Sequence, residues 1–560
     1  MKISVDSKFN CKIMQTIAII NILVVSIVIS SILTMHFNKV YAESDISTEI
    51  KIGICFNDKS KGISKAVSYF NVYADKGLVI GCQNDKDFTV LAQVNSNNKL
   101  KIRKDDFFNE ENIGPFHVKI GNDYSSYNDI ASKIKEFKSN GVNAYPSYDN
   151  GNWSIMSGFY LSENLAKEDI DNIYSKKFLN TEFAIVQGNN KSIVVTSNSN
   201  GNMNDVIGLF KIDNAVLQIK PAKENNPFIF NLDGKNYRGF IEVSRLNESD
   251  MTVANVLSIE EYLYGVVPCE IEYTSNYEAL KAQAVASRTY AIKNLGEYSK
   301  LGFDLCNTVY SQVYKGFDYE REITNKAVDD TKGEILYYDN DIAQVFYFSS
   351  SGGKTEAAKN VWSYDAPYLQ IVDDNYEEEN STNYFWERSL TYSDLNNILI
   401  SRGNNIGDIC GIKIINRSDA GRPIKIIIIG TKGEVVLEKA RCRDVFGLPS
   451  QWYDITTDAE IAVFNTNNET IEKSQLAGMK FVSCDYAGTI ETGKDICILG
   501  AGGNKKTIPS APNIYTFTGK GYGHAVGMSQ EGAKGMANSG FLYDEILYHY
   551  FPGTTIKYIY

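Results

Sequence analysis

SNYEALKAQAVASRTYAIK, residues 275–293, opens with the S-x-x-E spacing of a capping box and continues with five alanines between Glu278 and Asn294, which together predict a long helix. Small side chains allow close approach, so this helix is expected at the centre of the fold. Lys281 and Arg288 stand seven residues apart, two helical turns, and so fall on nearly one face. Leu280, Ala284 and Ala291 lie on a neighbouring face and Val285 adjoins the cationic one, which places the cations at the edge of a cleft. Just upstream, residues 265–270 (GVVPCE) read as an apolar turn that delivers the Glu270 carboxylate. Apolar surroundings raise a carboxyl pKa and nearby cations lower it. A glutamate balanced between them can lend a proton to a leaving oxygen and later recover one. Residue type alone equally allows Glu270 to be a surface charge on the approach to the helix.

On either side of this centre the patterning is mostly β. Residues 50–54 alternate, and short β-like runs continue to Asp85. Strands are expected at 116–120, 143–145 and 153–159. Helices are expected at 127–140, where Ile130, Ile134 and Phe137 form a stripe, and at 162–174. Residues 188–204 read as a loop or hairpin, followed by strands at 216–219, 228–230, 240–243 and 253–257. The apolar run 424–429 is too short to cross a bilayer and reads as a buried strand. The fold class is therefore α+β, a mixed core with a central Ala-rich helix and β-rich segments. It divides along the chain into a leader (1–42), a small β-rich unit (48–110), a β-α-β-β-α unit (111–185), a β-rich lead-in (186–250) and a core (251–560).

A length of 560 residues implies several cooperating units, and 43% hydrophobic with 22% charged residues is ordinary globular usage. The net charge of −12, with no basic block, argues against a nucleic-acid track. Tyrosine is abundant, 36 against 4 tryptophans, in an Asn- and Gly-rich chain. That composition suits surfaces that stack on sugars, and genomic base bias yields the same composition. Lys8 and Lys12 precede an apolar run at 17–35, and Val40-Tyr41-Ala42 follows before Glu43, the order of an export signal. The run is also long enough to serve as an uncleaved anchor. Eight cysteines remain beyond Cys11, with no Cys-x-x-Cys pair, so neither a zinc ribbon nor a thioredoxin-type site is indicated.

Two resemblances add to this reading. FHVKIG (116–121) and WSIMSGFYLSENLA (153–166), in their β-α-β-β-α setting, resemble the SPOR domain, whose family binds peptidoglycan strands stripped of stem peptides. A small ferredoxin-like packing unit fits the same pattern. EEYLYGVVPCE, EALKAQAVASRTYA, SQVYKG, FYFSSSGGKTEAAKNVW, DAPYL and GYGHAVGMSQEGA resemble, in order, the SpoIID/LytB family of stage II sporulation protein D and the amidase enhancers. The sporulation branch of that family implies a lytic transglycosylase acting between N-acetylmuramic acid and N-acetylglucosamine. Glu270 matches its acidic catalyst, and Lys281 and Arg288 match positively charged positions suited to binding sugar.

By the same resemblance Gln312 and Tyr314 contact saccharide, although a strand-edge turn around Gly316 explains them as well. Ser350, in a Ser-Ser-Ser-Gly-Gly loop that lacks a P-loop ending, brings polar groups to the cleft. His524, among Gly519, Gly521 and Gly523, lines that cleft with Gln530. Some members hold zinc through a Cys-His-Cys phrase. Here Tyr310 and Ser311 stand where His and Cys are expected after Cys306, and Phe348 replaces a histidine found in many members, so no metal and no cofactor are expected. The implied partners are glycan strands, with a wall amidase or a sporulation complex as further candidates. The implied location is extracellular or cell-wall associated. The rival implication is a non-catalytic wall-binding enhancer of an amidase.

Overall fold

Ser258 accepts the backbone N–H of Glu261, and the Glu261 carboxylate accepts the N–H of Ser258. This reciprocal cap starts a helix that runs Ile259–Glu270. The expected apolar turn is thus the end of a helix, with Pro268 inside its last turn. The Ala-rich helix follows at Tyr277–Lys293, and its cap is Asn276, whose side chain accepts the Glu278 N–H at 3.1 Å. Ser275 does not cap it. Glu278, which the expected box would have used, instead accepts the Tyr543 N–H and pairs with Lys281. All five alanines of the helix are fully buried. It packs against Ile259–Glu270, Glu322–Asp330, Gln530–Asn538, Tyr543–Tyr550 and the strand Glu334–Tyr338, so it is the hub of the helical layer.

The computed structural model describes residues 48–559 apart from 84–87, 96–97, 107–111, 190, 199–204, 212–215, 223–226, 247–248, 465–469, 476–479, 483–485, 491–494, 500 and 510. The leader, with its apolar run at 17–35, lies outside the described residues. Among those described, no helix is long and apolar enough to cross a membrane. The fold is mixed α+β with several sheets.

Residues 49–560 form one compact unit, and its two large sheets are stitched from distant segments. One has the order Leu305–Cys306, Glu49–Cys55, Asp250–Ser258, Phe240–Leu246, Val216–Pro221, Leu78–Gln83, Phe88–Val94. Its pairs are antiparallel except where Leu305–Cys306 runs parallel to Glu49–Cys55. The other, of ten strands, contains the 111–185 segment at one end. There Phe116–Tyr124, Ala144–Asp149 and Asn152–Tyr160 pair, with Tyr127–Ser139 covering them through Ile130 and Ile134. Beyond Ala144–Asp149 the sheet continues into Asp205–Lys211, Ser192–Asn198, Lys99–Lys104 and Tyr69–Tyr73. Strands from 48–110, 111–185 and 186–250 therefore share one sheet. Of the two alternatives at 188–204, loop or hairpin, the structure shows the hairpin: Ser192–Asn198 is an inner strand antiparallel to Asp205–Lys211, with Ile193, Val194 and Val195 all fully buried.

Farther on, Phe385–Thr391, Ile514–Lys520 and Trp452–Thr457 make a three-stranded sheet. Ile409–Arg417, Pro423–Gly430 and Gly433–Glu438 make a second. Their apolar faces share a core that includes Leu390, Ile426, Ile428, Tyr453 and Phe517. Of the run expected as a buried strand, Ile426 and Ile428 are buried while Ile427 and Ile429 are half-exposed, the alternation of a sheet with one wet face.

Candidate active site

Glu270 is the last residue of the Ile259–Glu270 helix, where the unsatisfied carbonyls of a helix end add negative potential. Its Oε1 accepts the Val313 N–H at 2.8 Å, and the Tyr347 hydroxyl donates to the same carboxyl. Burial pushes the Glu270 pKa up to about 7, while these two donors, which favour the charged form, pull the other way. At neutral pH the group is thus poised to give or take a proton.

Uncharged polar side chains surround it. Gln312 Nε2 donates to the Tyr347 hydroxyl at 3.0 Å and to the Ser287 carbonyl at 3.2 Å, while Gln312 Oε1 accepts from the Tyr262 hydroxyl. Gln283 Nε2 donates to Ser287 Oγ at 3.0 Å, and Gln530 Nε2 donates to Gln283 Oε1 at 3.3 Å. Gln283, Ser287 and Tyr290 recur at steps of four and three, one face of the Ala-rich helix, and Tyr290 also lies close enough to Glu270 to feel its charge. The close fit of the two helices' surroundings shows at Gly265, where a Cβ would fall 2.6 Å from the Tyr314 ring.

The expected site residues divide. Glu270, Gln312 and Gln530 come together in this network. Tyr314 does not present a face for a sugar: it is buried between Tyr237 and Tyr262, with its hydroxyl on Asn255. Lys281 pairs with Glu278 at 2.7 Å and sits over the Tyr543 ring. Arg288 does not edge a cleft. It is fully buried, with Nε and Nη2 on the two oxygens of Glu260 at 2.9 and 2.7 Å and further bonds to the carbonyls of Val328 and Glu334. Measured around the helix, the Lys281–Arg288 face lies roughly opposite the Gln283–Ser287–Tyr290 face.

The Ser-Ser-Ser-Gly-Gly loop does cradle an anion, but the anion is the chain's own Glu377. Ser350 Oγ, Ser351 N–H and Oγ, and Gly352 N–H all donate to it, so Ser350 is occupied away from any cleft. His524 is enclosed by Phe346, Phe348 and Trp362, and its Nδ1 accepts the Val526 N–H. Burial, with the Arg443 charge added, pushes its pKa down to about 3, so it is neutral and shapes the backbone at Tyr347 rather than exchanging protons. Phe348, where many members carry a histidine, is one wall of that enclosure.

Tyr347, Gln283, Ser287 and Tyr262 escaped the reading of the sequence. Tyr347 lay within a quoted phrase, and the Gln-x-x-x-Ser spacing of the helix was visible but outranked by the charges. Among the described residues no cluster of three His, Cys, Asp or Glu side chains forms a metal-binding group. Grooves of about 480, 520 and 250 Å³ lie elsewhere on the surface, and Glu270 lines none of these three.

Comparison with known proteins identifies relatives over several parts of the chain. Residues 247–338 match the family model for SpoIID, stage II sporulation protein, and residues 356–478 match a domain of unknown function, DUF8618. The chain is 30% identical to an amidase enhancer of Bacillus subtilis (strain 168) over 61% of its own length and 46% of that protein's, so it spans about half of that relative. It is also 30% identical to an uncharacterised protein of Brachyspira hyodysenteriae, covering 66% of this chain and 82% of the other. With a stage II sporulation protein D of B. subtilis it shares 28% identity over 55% of this chain and 77% of that one. The first match contains Glu270, Ser287 and Gln312, whereas Tyr347 and Gln530 lie beyond it.

Proposed function

We propose, because this chain belongs to the SpoIID/LytB family, that it acts at the cell wall as a lytic transglycosylase on peptidoglycan glycan strands, with Glu270 as its acid and base. The observation that carries this reading is a mostly buried carboxyl, held by Val313 and Tyr347 and walled by neutral polar groups, whose pKa is raised to about 7.

Protonated Glu270 gives its proton to the glycosidic oxygen as the bond from the muramic anomeric carbon breaks. The resulting carboxylate accepts the proton of the muramic C6 hydroxyl while that oxygen bonds to the anomeric carbon. Products are a free hydroxyl on the departing sugar and a 1,6-anhydro-muramic end, and no water is consumed. One carboxyl serves both steps, so no second acid is required, unlike in the two-carboxylate hydrolases. Attack from within the same sugar also removes the entropic cost of bringing a nucleophile in. The Tyr347–Gln312–Ser287–Gln283 chain orients the carboxyl without adding charge that would hold it ionised.

In this reading the 111–185 segment is a SPOR-like contact for glycan strands stripped of stem peptides. Purified protein incubated with intact and denuded strands should release anhydro-muramic ends detectable by mass analysis. Glu270→Gln should lower that rate by roughly 10²–10⁴-fold. Reducing ends in place of anhydro ends would reject internal attack. A second reading, enhancement of a wall amidase, has the 30% identical relative bearing the name amidase enhancer in its favour. It requires stimulation of an amidase that Glu270→Gln leaves intact, with no product from either strand.

A further inference from the structure

The outer face of the three-stranded sheet carries a groove of about 520 Å³ whose residues follow from register. Phe385, Lys520 and Trp452 are aligned across the three strands, and two positions along so are Glu387, Thr518 and Asp454. The row between them, Trp386, Gly519 and Tyr453, turns its side chains toward the apolar core. A Cβ on Gly519 would meet the Trp386 ring at 2.3 Å, so glycine lets the indole lie under the middle strand.

The first outer row is aromatic around a cation. Lys520 Nζ lies 5.4 Å from the Phe385 ring centre and 5.5 Å from that of Trp452, and Phe385 is 56% exposed. Trp452 is fixed from behind. The guanidinium of Arg422, fully buried and held by the carbonyls of Ser351, Lys354 and Thr355, sits 4.8 Å from its ring. The second row, about 7 Å further along the strands, is exposed and polar, with two carboxylates flanking a hydroxyl.

We propose that this groove is a subsite for a pyranose that bears a carboxylate, the muramic residue of a glycan strand. The assignment rests on the wall-glycan reading above. A pyranose has an apolar C–H face that lies against aromatic rings, and hydroxyls that donate to carboxylates. Lys520 supplies the counter-charge for an acidic substituent, at the end of the groove away from Glu387 and Asp454. Aromatic rings already set by a buried partner lose little freedom on binding. The strand that floors the groove leads on to a backbone pairing near the segment that carries Tyr347. After Lys520, Gly521 donates to the Tyr384 carbonyl and Tyr522 pairs with Ser350, three residues beyond Tyr347. Phe385, Glu387, Trp452 and Asp454 fall in the segment matched to the domain of unknown function, and Thr518 and Lys520 lie beyond it, so the proposal gives part of that segment a role.

The test uses full-length chain carrying Glu270→Gln, titrated with a muramic-containing tetrasaccharide and with chitotetraose, which lacks the carboxylate. Tryptophan fluorescence is the readout, two of the four tryptophans being at this groove. Tighter binding of the muramic sugar, by about tenfold, is expected. Lys520→Met should erase that preference, and Phe385→Ala should weaken both sugars about tenfold. Both side chains are solvent-accessible, and circular dichroism is to check that the variants fold. Unchanged affinities in these variants, equal affinity for the two sugars, or no binding at all would overturn the proposal. Release of anhydro-muramic ends by the unsubstituted chain is scored separately, so loss of the groove and loss of the cleavage reading give different results.

Discussion

A carboxyl that titrates near pH 7 rather than at its ordinary 4.5 makes a definite statement about rate. In the proposed cleavage the first step needs the proton on Glu270, so turnover should fall as pH rises through about 7. Tyr347 donates to the charged form and thereby lowers the pKa. Tyr347→Phe should therefore lower the plateau rate, through the lost hold on the carboxyl, and move the falling limb of the pH–rate profile to higher pH, a shift that a merely unfolded variant would not show. Glu270 stood out in the sequence because it closes the first of six phrases in fixed order. Ser350 shows the opposite case. Its loop was expected to bring polar groups to a cleft, but those groups are taken by Glu377, 27 residues away, and no local pattern announces which carboxylate will fill a nest.

The Ala-rich helix was legible in existence and in centrality, because propensity and small side chains are properties of the segment itself. Its working face was not. Charge drew attention to Lys281 and Arg288, yet a buried guanidinium needs a partner, and Arg288 finds it in Glu260, 28 residues earlier. The pair ties the two central helices to the Thr331–Glu334 turn through Thr331, the Glu334 carbonyl and the Gly333 N–H. Removing one partner of such a buried pair leaves an unpaired charge and costs about 3–5 kcal/mol. Arg288→Ala should lose about that much stability in urea unfolding, and Lys281→Ala only about 0.2–0.5 kcal/mol, the worth of a local helix pair. If both variants lost only cleavage and no stability, the clamp assignment would be wrong.

At the scale of the molecule, individual strands were visible from alternation, whereas their partners were not. Pairing such as Glu49–Cys55 with Asp250–Ser258 depends on which edges meet in space, and a linear division at 110, 185 and 250 misses it. One outcome is checkable. A fragment covering residues 251–560 lacks both neighbours of the Asp250–Ser258 strand, so its unpaired edges should drive aggregation, seen as a void-volume peak in size-exclusion chromatography. The same stitching also sets a schedule. Ribosomes add about 5–20 residues per second, so the Glu49–Cys55 strand leaves the exit tunnel roughly 10–40 s before its mate emerges. Whatever escorts the nascent chain must shield that early strand throughout the interval, and the large sheet can close only late in synthesis.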